Sequence, residues 1–211
     1  NLIMYDRQTD TWWAQASGKA IEGPLKGATL TLVASNMMRW RDWKRLHPTT
    51  LVLSKLANGR TRGTSDNYEG YHGSPNIGVT GRLGFKREDL AAKTRIVGFR
   101  FADRAYAVDL NVLTPGGVMI PAINDERFVV AATPDGSAAR VFRARSHVFT
   151  ERIEGGRTML VDKATGSVWN PFEGRAASGR LAGTTLDEVP VTLSYWFAWR
   201  AFFPDVVLLK R

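Results

Sequence analysis

A chain of 211 residues, 44% hydrophobic and 10% aromatic, has the length and composition of one folded core or two intimate halves, which excludes a disordered protein. Its longest apolar runs, such as Val206 to Leu209, fall far short of the roughly 20 residues of a membrane-spanning helix, which excludes an integral membrane chain. A formal charge of +9 favours anionic company, and the absence of cysteine excludes disulfides and thiolate metal sites within these residues.

Sign alone does not choose among acidic protein surfaces, anionic headgroups, polyanionic glycans and nucleic acid. The basic residues are scattered in ones and twos, without a zinc finger, helix-turn-helix or aromatic RNA platform, so nucleic acid is disfavoured. The chain opens on Asn1 with no initiator Met, basic n-region or apolar h-region, which reads as a mature or truncated product.

The first turn signal is Asp6-Arg7-Gln8-Thr9, where the Asp side chain can accept a backbone N–H two residues on and close a hairpin. Asp10 follows at a place that asks for positive φ, which Asp tolerates less well than Gly. Gly23-Pro24-Leu25-Lys26-Gly27 reads as a second turn between short strands. A helix comes next, capped by Ser35 or Asn36 and stopped by Pro48, with Met37, Trp40, Trp43 and Leu46 at steps of three. A stripe at helical spacing is far more often core than a ligand platform, so these four residues are assigned to the core.

A Gly-rich polar loop runs from about Ser54 to Lys93, and a stretch of that length without periodicity tends to be functional or disordered. It carries Arg60, Arg62, Asp66, Tyr68, Tyr71 and His72. Tyr68, Tyr71 and His72 are the candidates for ligand contact, against the plainer reading that the loop packs its own aromatics. Extended segments follow at 96–101, 105–109, 118–123, 128–133, 139–143 and 147–153.

Beyond them the sequence repeats itself at an offset of 156 positions: Asp162 falls on Asp6, Trp169 on Trp13, Gly179 on Gly23, Gly183 on Gly27, Trp196 on Trp40 and Trp199 on Trp43. The match runs without a gap to Pro204 on Pro48 and Leu209 on Leu53. In the second helix Leu193, Trp196, Trp199 and Phe202 occupy the places of the first stripe. The polar positions Arg39, Arg41, Asp42, Arg45 and His47 become Tyr195, Phe197, Ala198, Ala201 and Phe203. A helix apolar on every face must be buried on every face, between the two halves on the plainer reading or against another subunit on the sharper one. Tyr195, Phe197 and Phe203 are therefore candidate partner-binding residues. Arg39, Arg41 and Arg45 join them, since their charge suits an acidic or lipid surface, against the plainer reading of a solvated face.

The expected fold class is α+β, predominantly β, with two pseudo-repeats of short antiparallel strands that each carry one Trp-bearing helix. Residues 1–53 are read as the second half of repeat one, with its first half upstream. Residues 54–95 are the long loop and 96–211 a complete repeat two, all in one compact unit.

No catalytic residue, metal ligand or cofactor is assigned within the chain. His47, His72 and His147 lie far apart, and none has metal-ligand spacing. No Gly-x-Ser-x-Gly elbow, P-loop or dinucleotide fingerprint occurs, and Asp125-Glu126 and Asp187-Glu188 fall at turns or strand ends.

The phrase from Val161 to Trp169 is similar to the turn phrase of quinoprotein propeller blades, but blades recur at roughly 40 to 50 residues, which argues against a propeller here. A closer match lies in Met4-Tyr5-Asp6-Arg7-Gln8-Thr9 with Trp13, Trp40-Arg41-Asp42-Trp43-Lys44 with His47-Pro48, and Tyr68 to Tyr71. Further on it includes Ala105-Tyr106-Ala107, Ile123-Asn124-Asp125, and Phe197-Ala198-Trp199 with Pro204-Asp205. Over nearly the whole chain these phrases resemble the uncharacterised bacterial and archaeal family DUF3179.

The resemblance implies an exported or lipid-anchored envelope protein, periplasmic or at the cell surface, with no established activity. It also implies a hairpin with a Cys-Pro-Leu-Cys motif upstream of Met4. Any thiolate metal or redox site would lie there, and Thr133-Pro134-Asp135-Gly136 holds that place in repeat two without cysteines. The expected function is a noncatalytic extracytoplasmic binding or accessory subunit that docks onto a larger protein assembly, membrane-associated ones included. The alternative is a metal-dependent or redox enzyme with its cysteines upstream, and a weaker one is polyanion or glycan binding.

Overall fold

The computed structural model describes residues 2–52, 69–78, 81, 89–113 and 117–211. They form, in chain order, β1 (Ile3–Asp6), β2 (Thr11–Ala14), β3 (Lys19–Glu22), α1 (Trp40–Leu46), α2 (Glu69–Gly73), β4 (Arg95–Phe101), β5 (Arg104–Asp109) and a 3-10 turn (Leu110–Leu113). Then come β6 (Val118–Met119), β7 (Ala122–Ile123), β8 (Glu126–Ala132), β9 (Ala139–Arg143), β10 (Phe149–Glu154), β11 (Arg157–Asp162), β12 (Val168–Asn170) and β13 (Arg175–Ser178). The chain closes with β14 (Asp187–Val189), β15 (Val191–Tyr195), α3 (Trp196–Phe202) and β16 (Val207–Leu209). The protein is mostly β, and its three described helices are short.

Four sheets result, in the orders β1-β2-β3, β10-β11-β12-β13, β14-β9-β8-β6 with β7 on β8, and β15-β4-β5-β16. Among the described strands every pairing is antiparallel except that of β16 with β5. The order of the layers follows from alternation, because successive residues of a strand point to opposite faces. Val97 and Phe99 of β4 and Tyr106 and Val108 of β5 meet Phe128, Val130 and Val141 of β8 and β9. The intervening Val129, Ala131 and Phe142 pack against Leu160, Trp169 and Ala176 of the β10–β13 sheet. On the far side Ile96, Ala105 and Ala107 receive Trp196 and Trp199 of α3. Strands β4, β5, β8 and β9 are thus buried on both faces, which is why their sequences run almost continuously apolar.

The expected segment at 118–123 is two strands, since Pro121 has no N–H to continue a ladder and its carbonyl instead accepts from Phe128 N–H at 2.9 Å. A helical turn, α2, stands inside what reads as an irregular loop. Neither Ser35 nor Asn36 caps the first helix. It starts one turn later, with Arg39 as an extended N-cap whose side chain makes no capping hydrogen bond. Leu193 belongs to β15 and not to α3, for the same reason.

Local geometry recurs at the offset of 156. Gln8 N–H donates to Asp6 Oδ1 at 2.9 Å and Ala164 N–H to Asp162 Oδ1 at 2.8 Å, closing the expected turns. Asp10 and Gly166 follow at φ of 52° and 69°. The bridges Lys19 to Thr29 and Arg175 to Thr185 match, as do the bounds of β3 with β13 and of α1 with α3.

Two glycines of the second turn separate conformation from space. A Cβ on Gly179, at φ +88°, would stand 2.8 Å from Ser167 Cα, whereas one on Gly183, at the same φ, would meet only the mobile tip of Arg175 at 3.7 Å. Gly179→Ala is expected to cost about 2–4 kcal/mol and Gly183→Ala about 1 kcal/mol, read as shifts of the urea midpoint. Equal costs would show that the backbone at 167 yields freely.

Candidate docking surface

Helix α3 is held where its sequence begins. The N–H groups of Trp196 and Phe197 donate to the carbonyls of Thr94 and Ala92 at 2.8 and 2.9 Å, so the strand leading into β4 satisfies the first turn. That fixes Trp196 and Trp199 over β4 and β5, where Gly98 leaves room for the Trp199 ring: a Cβ there would lie 2.4 Å from it. Phe203 packs against Trp199 with ring centroids 4.4 Å apart and planes tilted by 47° and, with Phe202 and Pro204, lines an open cleft of about 390 Å³ shared with Asp103, Arg104 and Asp205. The expectation of an all-round buried helix holds for its inner side only, since Ala201 is exposed and Phe197 half-buried.

Tyr71 and His72, from the loop, and Tyr195 and Phe197, from the second helix region, meet in one cluster around Lys93. His72 Nδ1 lies 2.9 Å from Tyr195 Oη, and the Tyr195 and Phe197 rings stack at 6.1 Å. The Lys93 ammonium sits 3.9 Å from the Tyr71 ring centroid and donates to the carbonyls of Tyr71 and, at 2.6 Å, Ser74. Tyr71 Oη accepts the Gly78 N–H at 2.9 Å. The polar atoms of this cluster serve one another, and the arrangement clamps residues 69–78 onto the start of α3. Tyr68, with Arg60, Arg62 and Asp66, lies outside the described residues.

Helix α1 is the counterpart without a floor. None of its residues is buried. Trp40 is 53% exposed where Trp196, at the same place in α3, is 1% exposed. The assignment of Met37, Trp40, Trp43 and Leu46 to the core is thereby corrected: a helical stripe becomes core only where a sheet covers it, and none of the described strands does so here. Trp43 is half-buried, with its indole N–H donating to Thr50 Oγ1 at 3.0 Å and its ring 4.2 Å from His47. Of the three arginines, Arg39 pairs with Asp135 at 2.9 Å, while Arg41 and Arg45 lean on Asp42 at 4.0 and 3.3 Å from solvent. The Asp135 carboxyl is held well below the usual carboxylate range by hydrogen bonds from Ser137 and Thr133, with Arg39 adding to them.

The uncovered apolar surface is concentrated in the same unit. Among the described residues, thirteen of the fifteen exposed large hydrophobic ones fall between Leu2 and Val52, among them Val33, Met37, Leu51 and the Tyr5–Trp12 ring pair. Sequence reasoning missed this face. Its signal was the sequence match at the offset of 156, which sets Trp40 on Trp196 although none of the described strands covers Trp40.

One titratable pair also escaped it. His147 Nδ1 bonds Asp162 Oδ2, and His147 lies between Phe149 and Trp169 at ring distances of 5.7 and 5.1 Å. Asp162 also accepts the turn N–H groups of Ala164 and Thr165. This carboxylate closes a turn, and the histidine locks it. Among the described residues no three His, Asp or Glu side chains gather into a metal-sized group, and no helix is long and apolar enough to cross a membrane.

The family model described as "Protein of unknown function (DUF3179)" matches residues 1–206. No curated protein and no solved structure matches the chain. The match spans nearly all of the sequence, and the chain therefore belongs to the DUF3179 family.

Proposed function

We propose that this protein is a noncatalytic, extracytoplasmic accessory subunit that docks onto a larger protein assembly through the apolar face of residues 2–52. Two copies of one unit make up the chain on this reading, the second with strands β4, β5, β15 and β16 around its helix and the first with only the sheet β1-β2-β3 among the described residues. The observation that carries it is the contrast between α1, with no buried residue, and α3, which buries Trp196 and Trp199 at the same positions. Apolar surface favours burial by roughly 25 cal/mol per Å², so a concentrated face of this kind suits a stable protein contact. Arg41 and Arg45 beside it add positive charge that favours an acidic neighbour and speeds encounter. Envelope location rests on the family resemblance alone.

The test is the native mass of the protein isolated from its source, together with that of a Trp40→Ser, Leu51→Ser variant. Association with other subunits at fixed stoichiometry, lost in the variant while the melting temperature of the isolated chain stays within about 2 °C, is the expected result. A free, longer chain carrying a metal ion would overturn it in favour of an enzyme with upstream cysteines.

A further inference from the structure

A crevice of about 140 Å³ lies where residues 15–16 and 32–35 meet the sheet β15-β4-β5-β16. Strand alternation sets its floor. Gly98 and Arg100, two residues apart on β4, share the face on which α3 lies, and Thr192 stands directly across from Gly98 in the antiparallel register of β15. The Trp199 ring settles onto the strand because Gly98 has no side chain. Its Cε2, the carbon bonded to the indole nitrogen, is the atom that a Cβ at Gly98 would meet first, at 2.4 Å. The edge of the indole that carries the N–H is thus turned toward Gly98, which lines the crevice with it.

The lining carries hydrogen-bond donors that the chain itself does not use. The Trp199 indole nitrogen is buried without a partner, and a buried donor with no acceptor is costly enough to need a reason. Arg100 lies 5.9 Å from the Phe203 ring centroid and forms no ion pair among the described residues, whereas Arg140, Arg143 and Arg145, in and after β9, each hold a carboxylate. The side chains of Gln15, Ser35 and Thr192 make no hydrogen bond among the described residues either. The described lining contains no Asp or Glu, and the rest of its wall is apolar, built largely by Leu32, Val33, Pro190 and Val191. A few convergent donors on an apolar wall, with no competing carboxylate, is the composition of a small-anion site.

We propose that this crevice binds a small monocarboxylate, its carboxylate accepting from the Trp199 indole N–H and the Arg100 guanidinium and its short alkyl body lying on Leu32, Val33, Pro190 and Val191. The hydroxyls of Thr192 and Ser35 serve the remaining lone pairs. The volume sets the size: a cavity of about 150 Å³ takes a benzene ring, so the ligand has about four to six heavy atoms. A neutral amide of the same shape would lose the charge-assisted bonds and bring N–H groups to a lining without a carboxylate. An inorganic oxyanion would leave the apolar wall unused. The proposal goes beyond the docking function and stands or falls separately from it.

The probe is sodium propionate, titrated at constant ionic strength into the intact chain labelled with nitrogen-15, with the indole N–H resonances followed by NMR. A saturable downfield shift of the Trp199 indole N–H is expected. Trp169 and Trp196, whose indole nitrogens are also buried without a partner but do not line the crevice, should not move. Arg100→Gln should weaken propionate about 10-fold or more, and Thr192→Val, which keeps the shape of the side chain, about 3-fold. Unchanged resonances of β8 and β9 in both variants show that they are folded. Propionamide and inorganic phosphate should each bind at least about 10-fold more weakly than propionate. Equal binding of propionamide would overturn the proposal by showing that the charge is not read, and equal binding of phosphate by showing that the apolar wall is not used. It would equally be overturned by unchanged affinity in Arg100→Gln, by a shift shared by all three indoles, or by no saturation up to about 100 mM.

Discussion

Trp199→Ala is expected to lower the stability of the chain by about 3–5 kcal/mol, and Trp43→Ala at the matching place in α1 by less than about 1.5 kcal/mol. Trp199 is 4% exposed, lies on Gly98 and is packed with Ile96, Ala105, Ala107 and Val206. Its buried indole nitrogen has no hydrogen-bond partner, so the loss is one of packing and of a cavity that the flat β4–β5 surface cannot fill. Trp43 touches no buried cluster, and its removal costs one hydrogen bond to Thr50 and a partly exposed ring contact. Urea unfolding of the two variants at neutral pH measures the difference. Similar losses would mean that α1 has a cover in the free chain, and the docking face would then lose its basis.

Asp162→Ala is expected to cost about 3–5 kcal/mol at pH 7, because it leaves the turn amides of Ala164 and Thr165 and the His147 ring without their acceptor in a site that is 1% exposed. Burial is the strongest single influence on this carboxyl and pushes its pKa up. The bonds from His147, Ala164 and Thr165 together outweigh it and hold the pKa below the ordinary aspartate value.

The sign of the pH dependence follows. A carboxyl whose folded pKa is lowered contributes stability that is present above its unfolded pKa of about 3.9 and is lost as pH falls toward the folded value. Asp162→Asn keeps an acceptor oxygen but cannot titrate. It should therefore cost less than Ala at pH 7, and its deficit against the wild type should shrink as pH falls from about 5 to 3. Parallel stability curves for wild type and Asp162→Asn across that range would show that this carboxylate does not contribute through its charge. The matching Asp6 is half-buried and meets Thr9 in place of a histidine. The turn at Asp6 thus closes without a histidine lock.

The two groups of candidate residues also change meaning when placed together. Tyr195 and Phe197 looked like a surface for a partner, and Tyr71 and His72 like contacts for a ligand. In the fold they bind one another through Lys93, across 123 positions between His72 and Tyr195. That contact leaves the uncovered surface to the first unit, where Arg41 and Arg45 flank it.

By itself the sequence determined whatever depends on a few neighbouring residues. The Asp6 and Asp162 turns, the turns at 23–27 and 179–183, and the strands β4, β5, β8 and β9 were all legible. Each is set by local backbone sterics, by a side chain reaching two residues along, or by apolar runs that only a doubly covered strand can carry. Membership of the DUF3179 family was legible on the same footing, in short phrases spread along the chain. Only the tertiary structure decided which tryptophans are core. Trp40 and Trp196 share residue type, spacing and place in a helix, yet one is exposed and the other buried, because Trp196 finds Ile96, Ala105 and Ala107 and none of the described strands covers Trp40. A helical stripe states which residues face the same way, and burial depends on whether strands distant in sequence arrive to meet them.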